Sequence, residues 1–140
     1  MTQAQPVTTA VRNKQLMQAA FAELANGNTA AMRELYADDV QLTITGTTKW
    51  SKTFVGKQAL RDELFGPLFA LFADTYTSTA RRFIADDDLV VVECQGRVTT
   101  KTGKPYHNTY CMIYRLADGK IKEITEYCDT ALVDATFGPR

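Results

Sequence analysis

The chain has 140 residues, which suits one domain whose hydrophobic core is large enough to fold without disulfide or metal staples. Sixteen Lys and Arg residues balance sixteen Asp and Glu residues, and this zero net charge argues against a nucleic-acid-binding protein. Hydrophobic residues make up 45% of the chain, yet no apolar run approaches the roughly 20 residues that span a bilayer.

The first residues carry no strong structural signal. Residues 1–7 are predicted to be a loose tail at the start of a single domain that covers residues 1–140. The stretch MTQAQPVTTAVRNK lacks the basic, then apolar, then small-residue pattern of a secretory signal. We therefore expect a cytoplasmic protein.

Two helices are predicted to open the domain. Apolar residues recur with helical spacing through residues 8–25, and Gly27 is a typical helix end. A shorter helix is expected over AAMRELY, residues 30–36, which places Tyr36 at its end.

A strand and a long helix follow. VQLTITG, residues 40–46, alternates apolar and polar residues as a half-buried strand does. A polar link over residues 47–57 carries Trp50, the single tryptophan. The amphipathic stretch of residues 57–72 predicts a helix that the Gly66-Pro67 pair bends or breaks, because proline removes a backbone donor.

The C-terminal half is predicted to be a run of strands joined by short turns, over residues 75–85, 89–100, 106–116 and 120–129. Short turns between successive strands indicate an antiparallel meander. Helices placed ahead of a meander favour an α+β fold in which the helices cover one face of the sheet. A curved sheet wrapped around the long helix leaves a concave space, the usual place for a ligand.

The residues that could hold a cofactor are few. Cys94, Cys111 and Cys128 are evenly spaced, but none forms a C-x-x-C pair, so we interpret them as reduced packing residues on three neighbouring strands. One histidine and scattered acids make no metal-ligand cluster, and no phosphate-binding glycine motif is present. The sequence therefore predicts no metal and no cofactor.

Three stretches together carry a resemblance to a known family: NGNTAAMRELYADDVQLTITG, FVGKQALRDEL and YHNTYCMIYRLADGKIKEITEYCDT. They resemble the SnoaL-like branch of the nuclear transport factor 2-like superfamily, over about residues 10–133. The resemblance implies a cone-shaped α+β roll, usually paired into a homodimer through the outer face of its curved antiparallel sheet. Ketosteroid isomerases, limonene epoxide hydrolases and polyketide cyclases share this superfamily, so the fold alone does not imply one activity.

Strict alternation divides residues 106–116 into two faces. The larger and more apolar set, which we assign to the pocket side, is Tyr106, Asn108, Tyr110, Met112, Tyr114 and Leu116. A buried amide or phenol needs a partner or costs about 1–3 kcal/mol. Asn108 and Tyr110 are therefore expected either to satisfy each other or to hold a ligand.

The last predicted strand has no clean apolar face. Alternation groups Tyr127 and Asp129 with Ile121, and it groups Glu126 and Cys128 on the opposite face. A β-bulge that shifts the phase midway is one explanation for this mixture.

The resemblance implies that Asp129, the last residue of the E-Y-x-D element, lies in the pocket. Polyketide cyclases of the group use a pocket aspartate as acid and base. A carboxylate walled by Tyr110 and Tyr127 loses hydration, which raises its pKa toward neutrality. The alternative is that Asp129 is a solvated strand end or a cap for the segment that starts at Thr130.

Further residues are assigned to ligand binding. Trp50 is either a lid over the pocket or a plug for the sheet edge. His107 points to the outer face by alternation and is placed at the pocket rim if the strand end twists. Apolar contacts are expected from the remaining candidates, Met112, Phe54, Phe69, Tyr36 and Tyr127.

Two departures limit what the resemblance implies. Arg97 is followed by Val98 and Thr99, so the second acid of a limonene epoxide hydrolase set is missing. Residues 40–45 carry no charge, so the base of a ketosteroid isomerase has no counterpart there. Neither activity is supported residue by residue.

Three functions remain open from the sequence. The first is binding of a small hydrophobic, carbonyl-bearing or cyclic molecule, with Asp129 and Asn108 as catalytic residues of a cofactor-free isomerase, cyclase or dehydratase. The second is a non-catalytic or stress-related carrier that uses the same pocket. The third is an interaction module whose function lies on the outer sheet face, which a conical space filled by Met112, Phe69 and Leu68 would favour. No nucleic-acid or membrane partner is expected.

Overall fold

The computed structural model describes residues 6–140. Its strands run over Tyr36–Ile44 (β1), Thr53–Val55 (β2), Thr77–Asp86 (β3), Leu89–Arg97 (β4), Thr109–Ala117 (β5) and Lys120–Cys128 (β6). Its helices run over Thr9–Leu24 (α1), Ala30–Leu35 (α2), Lys57–Ala59 (α3), Gly66–Phe69 (α4) and Thr130–Phe137 (α5), with a π-helical turn over Leu60–Phe65 between α3 and α4.

The six strands form one curved, unclosed sheet in the order β2-β1-β6-β5-β4-β3. Neighbouring strands are antiparallel except β1 and β6, which are parallel. The parallel pair gives the first strand its place beside the predicted meander. The expected α+β class is confirmed.

Helix α1 covers the β3 and β4 side of the sheet. The Thr8 hydroxyl caps it by accepting a hydrogen bond from the Val11 N–H at 3.2 Å, and Gly27, with a φ of 84°, follows its last turn. Met17 and Phe21 point from α1 into the main core. Of the predicted tail, residues 1–5 lie outside the described residues, and residues 6–8 have no regular secondary structure.

The predicted long helix is interrupted at the expected place. The Gly66 N–H bonds to the Arg61 carbonyl, which is the wider spacing of a π-helix. A Cβ on Gly66 would lie 2.7 Å from the Arg61 oxygen, and Pro67 has no N–H to continue the ladder. The Gly66-Pro67 pair thus produces a widened turn rather than a sharp break.

A β-bulge in β6 decides which side chains face inward. Leu116 pairs with Ile121, but Arg115 pairs with Glu123, so Lys122 is an extra residue on β6. Ile121 and Ile124 are therefore both buried although they are three residues apart. From Ile124 onward the inner face carries the residues of even number.

Several elements differ from the sequence-based expectation. Strand β1 begins at Tyr36 rather than at Val40, directly after α2, so Tyr36 is both the C-cap of that helix and the first residue of the strand. Two short elements, β2 and α5, were not predicted. Both lie in stretches with no periodic apolar pattern long enough to identify them.

Gly96 on β4 makes room for a tyrosine of the inner face. A Cβ at this position would lie 2.6 Å from the hydroxyl oxygen of Tyr76 and 2.9 Å from its ring. We expect Gly96→Ala to lower the free energy of unfolding by about 1–3 kcal/mol through overpacking, measured by urea denaturation.

The double variant Gly96→Ala/Tyr76→Phe removes the atom closest to the new methyl group. Its loss of stability should be smaller than the sum of the two single losses. Additive losses would contradict the predicted clash.

Candidate functional site

A cavity of about 1000 Å³ lies between the inner face of the sheet and the helical segments. Most of its lining is apolar, and five of the six tyrosines contribute to it: Tyr36, Tyr76, Tyr106, Tyr110 and Tyr114. Exposed residues of α2 and of the π-helical turn, Arg33, Glu34 and Arg61, line one end and mark an opening to solvent. Helix α5 closes the opposite end through Val133 and Phe137.

Glu126 is the carboxylate that lines this cavity from strand β6. Its neighbours across the sheet are Met112 on β5 and Ile44 on β1, and Ile124 and Cys128 flank it along β6. The Thr45 N–H and hydroxyl both donate to the Glu126 carbonyl oxygen, at 3.1 and 2.9 Å, and so hold the strand at this residue. The carboxyl is thus placed in an apolar row.

Burial raises the pKa of Glu126 to about 7 from an ordinary value of 4.5. Within residues 6–140, no hydrogen-bond donor or cation contacts this carboxyl to offset the lost hydration. A carboxyl with such a pKa exchanges its proton near neutral pH, which is the requirement for a general acid or base.

The phenols around Glu126 are held in their neutral form. Burial raises the pKa of Tyr106 to about 12, and it raises the pKa values of Tyr110 and Tyr114 well above 10. The charge of Glu126 adds to each of these shifts. The tyrosine hydroxyls therefore act as hydrogen-bonding groups rather than as bases.

An aromatic wall faces the sheet across the cavity. The Tyr36 and Phe65 rings stack with centroids 6.5 Å apart, and Phe65 continues to Phe69 at 5.8 Å. Phe69 in turn stacks on Tyr76 with centroids 5.8 Å apart. This wall offers flat apolar area to a ligand.

The thiols that line the cavity are poor nucleophiles. Burial raises the pKa of Cys94 to about 11 and that of Cys128 to about 12. Because the thiolate is the reactive form, both side chains act as small apolar walls. No group of three or more His, Cys, Asp or Glu residues that could hold a metal ion occurs in the described part of the chain.

Five of the predicted ligand-binding residues line the cavity: Trp50, Tyr110, Met112, Phe69 and Tyr36. Phe54 does not, because it is a core residue with 3% exposure. His107 is half-buried just before β5 and is not part of the lining.

The predicted location of Asp129 in the pocket is wrong. The residue is exposed and caps α5, where its Oδ1 accepts a hydrogen bond from the Leu132 N–H at 3.3 Å. The predicted pocket position of Tyr127 is also wrong, because 47% of this residue is exposed on the outer face. The bulge at Lys122 is the reason, because it reverses the alternation that the sequence suggests for the end of β6.

Asn108 faces inward as predicted but does not reach the cavity. It is fully buried, and its amide bonds to the Tyr106 hydroxyl and to the backbone N–H and carbonyl of Asp129, each at 3.1 Å. Asn108 thus fastens the start of α5 to the segment that precedes β5.

Sequence reasoning missed Glu126 as a site residue. The available signal was the spacing of Ile121 and Ile124, which cannot both face the core of a regular strand. Placing the bulge between them would have put Glu126 on the inner face.

Comparison with known proteins identifies the family. A family model described as the SnoaL-like domain matches residues 17–124, most of the chain. The chain belongs to the SnoaL-like domain family. A comparison with curated protein sequences finds no match.

Solved structures with the same fold agree with this assignment. Bal32a, from a soil-derived mobile gene cassette, has 16% identity and a TM-score of 0.77, with 95% of this chain and 100% of that chain covered. A putative SnoaL-like polyketide cyclase from Jannaschia sp. CCS1 has 15% identity and a TM-score of 0.75, covering 99% and 98%. TerC, co-crystallized with polyporic acid, has 19% identity and a TM-score of 0.74, covering 88% and 95%. At these identities the likeness shows the shared nuclear transport factor 2-like fold.

The described residues of this SnoaL-like domain include no helix that is both long and apolar enough to cross a membrane.

The unpaired Glu126 predicts an unusual pH dependence of stability. The folded state holds the proton more tightly than the unfolded state, so stability should fall as the pH rises from about 4.5 to about 7. Glu126→Gln should remove this slope and raise the free energy of unfolding at pH 8 by about 1–3 kcal/mol. Urea denaturation of both proteins at pH 5 and pH 8 measures the difference.

Glu123→Gln is the matched control on the same strand. Arg115 lowers the pKa of Glu123 through a hydrogen bond, so any effect of this change on the pH slope has the opposite sign. Equal slopes for wild type and Glu126→Gln would show that Glu126 is not desolvated.

Proposed function

We propose that this SnoaL-like domain binds a small hydrophobic molecule that carries a carbonyl group or a ring, and that Glu126 moves a proton on it. The supporting observation is the Glu126 carboxyl, which has a pKa of about 7 and lines a mostly apolar cavity without a partner among residues 6–140. The reaction class is a cofactor-free isomerisation, cyclisation or dehydration.

The chemistry follows from the state of the carboxyl. The Glu126 carboxylate removes a proton from a carbon next to a carbonyl, and the electron pair of that C–H bond moves to form an enolate. The protonated Glu126 then returns the proton to another atom of the same molecule. A pKa near the working pH lets one group perform both steps. Burial is a common way for an enzyme to bring a carboxyl into this range.

The relatives support the chemical class without deciding it. One similar structure is described as a putative SnoaL-like polyketide cyclase, and another holds polyporic acid. Both descriptions concern those proteins. They favour a ligand with conjugated carbonyl groups for this chain as well, and the aromatic wall from Tyr36 to Tyr76 offers matching flat surface.

A non-catalytic carrier is the second candidate. The observation that favours it is the composition of the cavity, in which Glu126 faces apolar and phenolic groups and has no second carboxylate beside it. Binding alone needs only the apolar volume. The two candidates differ in whether bound ligands exchange protons.

Solvent exchange tests the catalytic proposal without a known substrate. Terpenoid, steroid and polyketide fragments are first screened by thermal shift, because a bound ligand stabilises the folded state. Ketone hits are then incubated with the protein in D₂O, and proton NMR follows the exchange of the C–H next to the carbonyl. We expect wild type to accelerate this exchange and Glu126→Gln to slow it by about 10²-fold or more.

Asp129→Asn is the matched control, because asparagine also caps helices. This variant should keep the wild-type exchange rate. Binding without any exchange would support the carrier, and equal exchange in wild type and Glu126→Gln would contradict the role of Glu126.

The assembly is also a proposal: we infer a homodimer formed through the outer face of the sheet. Ile84, Val91 and Ile113 are direct cross-strand neighbours there, and Tyr127 lies on the same face. An apolar stripe across several strands is typical of a surface that another chain covers.

A cytoplasmic location stays a prediction from the sequence.

Light scattering during gel filtration tests the dimer. The wild-type protein should elute at twice the 15.6 kDa mass of the chain, and Ile113→Lys should elute at that single mass. Gln18→Lys, an exposed change on α1, which covers the opposite face of the sheet, should leave the dimer intact. A monomeric wild type at all concentrations would exclude this interface.

A further inference from the structure

The hydrogen bonds of Asn108 have a fixed direction. The Asp129 backbone N–H can only donate, so it must meet the Asn108 Oδ1, and the Asp129 carbonyl can only accept, so it must meet the Asn108 Nδ2. The remaining N–H of Nδ2 then donates to the Tyr106 hydroxyl oxygen at 3.1 Å. The orientation of the amide thus follows from its partners.

Counting protons beyond Asn108 leaves one hydroxyl without a hydrogen-bond acceptor among residues 6–140. Tyr106 and Tyr110 are linked by one hydrogen bond of 3.4 Å, which uses one of their two hydroxyl protons. If Tyr110 donates to Tyr106, the Tyr106 proton has no acceptor in this group, because Asn108 is itself a donor to Tyr106. If Tyr106 donates to Tyr110, the Tyr110 proton has none. Tyr76 lies close enough to Tyr110 to raise its pKa. A hydrogen bond donated to Tyr76 would leave the Tyr76 hydroxyl proton without an acceptor instead. All three hydroxyl-bearing rings line the cavity.

A second surplus donor lies at the same end of the cavity. The Trp50 Nε1–H is buried and finds no acceptor among residues 6–140. Trp50 and Tyr106 both pack against Phe137 of α5, with ring centroids 6.2 and 4.8 Å apart. This group of Trp50, Tyr106, Tyr110 and Phe137 is called the α5 end of the cavity below.

The hydroxyls of Thr48 and Ser51, in the same loop as Trp50, supply no free acceptor for these donors. Ser51 donates to the Thr45 carbonyl at 2.9 Å, so the proton between Ser51 and Thr48 must come from Thr48. Thr48 also accepts from the Trp50 backbone N–H at 3.2 Å. Both hydroxyls are therefore engaged with each other and with the backbone, and the α5 end keeps an excess of donors.

We propose that the α5 end of the cavity is a donor subsite that takes an acceptor oxygen of the ligand, a carbonyl or an enolate, and discriminates against an apolar group of the same shape. This inference rests on the proposed binding function and names the part of the ligand that this end recognises. The acceptor oxygen lies toward Tyr106 and Tyr110, and the acidic C–H lies toward Glu126. A buried donor without a partner raises the free energy of the complex. A ligand with an acceptor oxygen removes this penalty, whereas an apolar ligand of the same shape does not.

A pair of isosteric probes tests the subsite. 2-Acetylnaphthalene presents a carbonyl oxygen where 2-isopropenylnaphthalene presents a methylene group. Titrations are made at pH 8.5, where Glu126, with a pKa of about 7, is a carboxylate that cannot donate to the carbonyl. We expect the ketone to bind about five- to tenfold more tightly, as one good hydrogen bond allows. Infrared spectra of the bound ketone should show its carbonyl stretch below the frequency in hexane.

Two variants locate the donors. Tyr106→Phe/Tyr110→Phe should reduce the affinity ratio of the two probes severalfold and move the carbonyl stretch back toward its hexane value. Tyr127→Phe removes a phenol of the outer face and should change neither quantity. The wild-type probe pair decides the question even where the double variant does not fold.

The outcomes separate this inference from the proposed function. Binding of both probes with equal Kd and an unshifted carbonyl overturns the donor subsite and leaves the apolar pocket standing. Binding of neither probe overturns both proposals. Tighter binding of the ketone with a lowered carbonyl stretch supports both.

Discussion

The extra residue at Lys122 is the constraint on which the site depends. Without it, regular alternation from Ile121 would point Glu123, Thr125 and Tyr127 at the core and expose Ile124. Two ion pairs on the outer surface hold the bulged residues outward: Lys122 Nζ lies 2.7 Å from Asp39, and Arg115 Nε lies 3.1 Å from Glu123. Each exposed pair contributes little alone. Together with the burial of both isoleucines, they set the phase that brings Glu126 into the cavity.

The position of Glu126 lowers the stability of the folded state. A carboxyl among Ile44, Met112 and Ile124 loses hydration and gains no partner from residues 6–140, so its charged form destabilises the folded state. A leucine or glutamine would fit the same row at lower cost. Local rules that are broken without structural gain tend to mark functional sites. This loss of stability therefore supports a role in chemistry or binding rather than in folding.

The sequence predicts much of the fold but only part of the site. Regular alternation in residues 106–116 correctly places Tyr110 and Met112 inside, because the extra residue of the β5–β6 pair lies on β6 and β5 keeps its alternation. The same rule fails for Asp129, since parity carries no information about where an extra residue is inserted. Helix α5 was missed because it is short and follows a strand directly. Its presence gives Asp129 the capping role that the sequence left open as an alternative.

The Asn108–Asp129 contact links the closing helix to the polarity of the cavity. Asn108 uses one edge of its amide to fasten the first residue before α5, and the direction of its remaining N–H follows from that attachment. The same bonds therefore hold α5 against the cavity and make Tyr106 an acceptor, which leaves a phenol proton for a ligand. If α5 moved away, the amide would be free to turn over and the tyrosines could lose their preference for donating. The closure of the cavity and the proposed selectivity for an acceptor oxygen thus both depend on one buried amide.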